Sequence, residues 1–115
     1  MQRRVLRLVS LLIGALAVVV SVDIAPDAAE ILLARDKGDK AVWIADVYYS
    51  CVGGNPFAMV RNGVPSDAEN YDTVKAERLC VYVPRSMTFE GDTPKIVTFP
   101  RKTGLRDVGV RNTAK

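Results

Sequence analysis

Arg3, Arg4 and Arg7 stand ahead of an apolar run, Leu8 to Val22, that is relieved only by Ser10, Gly14 and Ser21. A basic n-region followed by an apolar h-region is the form of an export signal, and the arginines stay on the cytoplasmic side. A helix over this run is about 22 Å long at 1.5 Å per residue, short of the roughly 30 Å hydrocarbon core. That length favours a cleaved signal peptide. The cleavage site is poor: Ala25 has Asp23 two positions before it and Pro26 after it, Ala28 follows Pro26 by two, and Ser21 follows Val19. A retained anchor over residues 6–24, with Arg7 snorkelling, is therefore the alternative. Either way residues 1–22 are set apart, and a domain of about ninety residues is left to fold on the outer side, periplasmic or secreted.

Charge follows the same division. The net charge of +3 belongs to the leader, because residues 23–115 hold 13 basic and 13 acidic side chains. A nucleic-acid binder would carry its positive charge on the folded part, so nucleic acid is not an expected partner. Within the domain, residues 23–72 have four basic and nine acidic groups, and residues 73–115 have nine and four. The first reading is that the two halves balance each other in the fold; the alternative is a basic tail reaching for an acidic partner or anionic lipid.

The chain has two cysteines, Cys51 and Cys80, and no histidine. In an oxidising compartment an even pair reads as a disulfide. Closing the 29-residue separation would contribute about 3–4 kcal/mol by the chain-entropy estimate. A redox pair is not expected without Cys-x-x-Cys spacing, and two cysteines without histidine do not make a zinc site.

Pro26 to Lys37 begins with proline and acids, ends in basic residues and is followed by Gly38, which predicts a short helix with a first strand as the rival. Lys40 to Cys51 alternates: Ala41, Trp43, Ala45, Val47, Tyr49 and Cys51 are all apolar, predicting a half-buried strand with that face dry. Phe57 to Val60 is a short strand ended by Asn62-Gly63. Residues 64–76 read as a long loop, with one helical turn conceivable over Val74 to Arg78. Arg78 to Val83 is a strand with Leu79, Val81 and Val83 on one face and Cys80 and Tyr82 on the other. Met87 to Glu90 and Lys95 to Phe99 flank Gly91-Asp92 as a hairpin, and residues 101–115 read as a basic, flexible tail. The expected fold is mainly β, a small antiparallel sheet or barrel-like domain over 40–100. A linker or short helix over 23–39 and an N-terminal hydrophobic helix precede it, and one disulfide staples it.

No catalytic constellation emerges. The usual general base near neutral pH is missing. Asp46, Glu69, Asp72, Glu77, Glu90 and Asp92 have no spacing that pairs two of them, and Asp67, Glu69 and Asp72 lack EF-hand spacing. Ser50 and Ser66 have no base partner, and Gly53-Gly54 lacks the lysine and helix of a phosphate loop. No cofactor or metal is expected. Tyr48, Tyr49 and Tyr82 could form a recognition patch, or complete the core of a small domain. The sequence thus points to a non-enzymatic exported binding or inhibitory module acting on another protein. The alternatives are a single-pass accessory subunit of a membrane complex and, more distantly, a small carboxylate enzyme.

Overall fold

The computed structural model describes residues 19, 21–50, 56–100 and 106–114. Most of the leader, Cys51, the glycine pair at 53–54 and residues 101–105 lie outside them. In chain order the elements are β1 (Asp23–Ile24), α1 (Pro26–Arg35), β2 (Ala41–Ser50), β3 (Pro56–Asn62), β4 (Tyr71–Ala76), β5 (Leu79–Pro84), β6 (Thr88–Phe89), β7 (Lys95–Pro100), β8 (Arg106–Val110) and β9 (Thr113–Ala114). Seven strands form one nearly closed sheet in the order β1-β7-β8-β3-β2-β5-β4, and β6 and β9 pair separately. The fold is mainly β with one α-helix, as composition and alternation suggest, but the sheet is mixed: β1–β7 and β2–β5 are parallel.

The helix forms where its punctuation lies. Pro26 supplies the first turn, Asp27 is acidic there and Arg35 is basic in the last turn, which suits the helix dipole. It packs across β7 and β8 on the inner face of the sheet. Ala28 and Leu32 are fully buried beside Ile96, Val108 and Val110, and burying Leu32 alone is worth about 1.5–3 kcal/mol. Asn62 Nδ2 donates to the Leu32 carbonyl at 2.9 Å, satisfying one of the acceptors that a helix C-terminus leaves open. The exit is then fixed by Asp36, whose carboxylate accepts from the Gly38 and Lys40 amides at 3.1 and 2.8 Å.

β2 is a strand, and Ala41 and Ala45 of the expected face are buried, but the aliphatic core is made by the opposite parity. Val42 and Ile44 are fully buried in the core, while Trp43 is only half-buried on the outer face. Both parities of this segment are apolar, and the branched aliphatics rather than the indole took the interior. Further along, the register with β3 shifts: Ile44 pairs with Val60 and Tyr48 with Ala58, so three residues of β2 face Met59 alone. Such a bulge bends and twists the strand, which helps the sheet curl around α1.

Residues 71–76, read as loop, are β4, hydrogen-bonded along their length to β5. Glu77 and Arg78 connect the two strands with φ of 49° and 65°, the left-handed pair of a type I′ hairpin turn made without asparagine or glycine. β5 is as expected, with Leu79, Val81 and Val83 buried. The 87–90 and 95–99 segments do not form a hairpin with each other. Phe89 pairs with Thr113, and β7 pairs with β8. Residues 106–114 are accordingly not a flexible tail: Val108 and Val110 are core residues, and β8 is a central strand between β3 and β7. Asn112 locks this arrangement, accepting from the Lys95 amide at 2.8 Å and donating to the Glu90 and Thr93 carbonyls at 2.7 and 2.8 Å.

No disulfide is shown among the described residues. Cys80 is a half-buried free thiol, and its expected partner Cys51 lies outside them. Cys80 pairs with Ala41 at the start of β2, and its amide donates to the Lys40 carbonyl at 2.8 Å. β2 and β5 are joined by direct parallel pairing over Ala41 to Trp43.

Candidate recognition surface

The strand register defines an outer face that α1 does not cover. Across β3, β2, β5 and β4 it places Arg61, Trp43, Tyr82 and Thr73 side by side. Trp43 and Tyr82 are half-buried, Arg61 and Thr73 exposed. Tyr71, at the start of β4, joins the two aromatic residues: its ring is 6.3 Å from Trp43 at 88° and 6.4 Å from Tyr82 at 75°. Edge-to-face packing holds the three rings as a ridged cluster and is worth about 0.5–1.5 kcal/mol per pair beyond burial. Ala41 and Ala45, the small residues flanking Trp43 on this face, are buried.

Beside Tyr71 the surface falls into an open groove of about 340 Å³, lined by Asp67, Asn70, Tyr71, Pro84, Arg85 and Ser86. Arg85 shapes its wall. Its guanidinium bonds the Asp72 carboxylate at 3.1 Å and the Glu69 carbonyl at 2.9 Å, and its amide donates to the Asn70 carbonyl at 3.1 Å. The groove's cation is thus occupied in holding the 67–70 turn against β5.

The other half of the outer face is closed. Phe57 on β3 reaches over Gly109 of β8 to stack on Phe99 of β7, with ring centroids 3.7 Å apart and planes at 7°. A ring laid over a strand glycine covers backbone that no side chain of its own can protect. Phe57 is buried, so this pair belongs to the structure and not to an exposed surface.

Of the three tyrosines expected as a patch, Tyr82 lies in the cluster. Tyr48 and Tyr49 stand opposite Ala58 and Phe57 in the β2–β3 register, and their side chains lie outside the described residues. Trp43 and Tyr71 were missed. The alternation of β2 places Trp43 on the dry face, and Tyr71 falls in a segment that reads as loop because β4 alternates weakly. Asp46's side chain lies outside the described residues; of the other candidate acids, Asp72 pairs with Arg85, Glu77 lies in the β4–β5 turn, and Glu90 and Asp92 flank Gly91. Among the described residues no three His, Cys, Asp or Glu side chains are grouped to hold a metal ion, and no helix is long and apolar enough to cross a membrane.

A nearly closed, mainly β sheet sealed by one helix and bearing an outer aromatic cluster is the class that these features define. The chain belongs to the CC/Se motif containing family, whose model matches residues 20–110, from the end of the apolar leader to the end of β8. No curated protein and no solved structure matches it. In this chain the two cysteines, Cys51 and Cys80, are not adjacent to one another or to a further cysteine.

Proposed function

We propose that this protein is an exported, non-enzymatic binding module that engages another protein through the Trp43–Tyr71–Tyr82 face. The observation carrying this reading is the half-exposure of all three rings on a sheet whose other face is a buried, mostly aliphatic core. Tryptophan and tyrosine, amphipathic and with few rotatable bonds, are the residues most enriched at binding hot spots. A sheet scaffold fixes them without ordering cost at the moment of contact.

Retention of the leader is the second reading, and any span would then end before Val19, because Val22 to Ile24 belong to the domain and not to the bilayer. Val19 and Val22 pack against the core, and β1 begins at Asp23 directly after the apolar run. In that form the domain sits close to the bilayer as an accessory subunit, and the same face meets its partner from the outer side. A photo-crosslinking amino acid at Thr73, exposed on the aromatic face, is the test, with Glu30, exposed on α1, as control. A discrete adduct from position 73 and none from position 30 is expected in cells. Equal labelling from both, or none from position 73, removes the proposal.

A further inference from the structure

We propose that the outer aromatic face takes an extended acidic peptide segment, held by Arg61 on one side of the rings and Lys75 on the other. This rests on the reading of that face as the recognition surface and adds the chemistry of its occupant. Arg61 pairs with Trp43 in the β2–β3 register, and Lys75 pairs with Cys80 one step from Tyr82 in the β4–β5 register. Both cations are exposed, and among the described residues neither is in an ion pair. Lys40, Arg85 and Arg106 are each matched, to Asp36, Asp72 and Asp27. Where side chains are described, no outer-face position of β2, β3, β4 or β5 carries a carboxylate. Two unneutralised cations bracketing half-desolvated rings favour carboxylates and disfavour a basic partner.

The geometry sets the spacing. From Arg61 on β3 to Lys75 on β4 the path crosses three strand intervals and one two-residue step. At about 4.8 Å per strand and 3.4 Å per residue that is roughly 16 Å, which an extended chain covers in about five residues. The occupant therefore carries two acids about five residues apart, with apolar side chains between them to lie against Trp43 and Tyr82. Arg61 can grip its carboxylate bidentately, whereas Lys75 acts as a point charge. The ring planes, at 75° and 88° to Tyr71, make notches for side chains and not the coplanar platform that stacked bases or sugars need. Two cations are also too few for a phosphate backbone.

The test uses full-length protein and fluorescein-labelled octapeptides in which two glutamates, separated by two to seven positions, flank leucine and proline. Anisotropy and the emission of Trp43, the single tryptophan, report binding. The tightest binding is expected at a separation of about five, by the roughly 16 Å span. Arg61→Glu or Lys75→Glu is expected to weaken it at least tenfold, and Lys37→Glu, exposed beyond α1, to leave it unchanged. Affinity that ignores the separation, or that falls equally with Lys37→Glu, overturns the proposal. So does binding that prefers anionic vesicles or a sulfated polysaccharide, or self-association of the protein that Arg61→Glu removes. If the position-73 adduct survives in Arg61→Glu and Lys75→Glu while the peptides fail, the recognition surface stands and its acidic occupant does not.

Discussion

Gly109→Ala tests how the outer half of the sheet closes over β8. A Cβ built at this position would lie 2.7 Å from the Ala58 carbonyl oxygen and closer still to the Phe57 ring. The carbonyl belongs to the neighbouring strand and cannot withdraw without disturbing the β3–β8 ladder. The ring can withdraw, but only by leaving its stack on Phe99, which is worth about 0.5–1.5 kcal/mol. Overpacking of this kind costs about 1–3 kcal/mol, so the expected loss is about 2–4 kcal/mol. That is a large share of a total near 5–15 kcal/mol. In a domain of this size it lowers Tm by about 10 °C or more. Urea unfolding followed by circular dichroism measures it, with Phe57→Ala and the double variant completing a cycle. The cost of Gly109→Ala should shrink in the Phe57→Ala background, where only the carbonyl contact remains. A Gly109→Ala midpoint equal to wild type, or an equal cost in both backgrounds, would refute the packing of Phe57 on β8.

Glu77→Asn with Arg78→Gly should stabilise the protein by about 1 kcal/mol, because both positions have positive φ and the new pair favours the type I′ turn; thermal unfolding reads it. Asn112→Ala should cost about 2–3 kcal/mol through three lost hydrogen bonds at a part-buried site, and hydrogen exchange should show faster opening around the Lys95 amide. Cys80 should alkylate without prior reduction, slowly because it is half-buried, and intact mass before and after iodoacetamide reports it.

Local signals were legible where the responsible chemistry is local. Pro26, Asp27 and Arg35 mark α1, and Leu79, Val81 and Val83 mark β5 because one parity is aliphatic and the other is not. β2 was legible as a strand, but Ala41, Trp43 and Ala45 compete with Val42 and Ile44 for the interior, and side-chain shape decided between them. β4 escaped because Tyr71, Asp72, Thr73 and Lys75 leave only Val74 buried in its middle. β8 escaped because one of its two partner strands, β3, lies far away in sequence and Gly109 breaks its pattern until Phe57 covers it. Gly91 and Asp92 do make a positive-φ turn, yet the strands it was expected to join pair elsewhere. A turn dipeptide fixes a reversal of the chain, not the partner of the strand that follows. For the same reason Tyr82 could be found from sequence, while its grouping with Trp43 and Tyr71 required the β2–β5 parallel register.

The central claim is that Trp43 serves recognition and not the core, and Trp43→Ala separates the two roles. Truncating a core tryptophan costs about 3–5 kcal/mol, whereas a half-exposed ring on the outer face should cost about 1–2 kcal/mol. The measurement is the yield of the position-73 crosslink in cells carrying Trp43→Ala, normalised to the amount of folded protein. A yield that falls at least tenfold while the protein stays folded is the predicted result. An undiminished crosslink, or a Trp43→Ala chain that no longer folds, would contradict it.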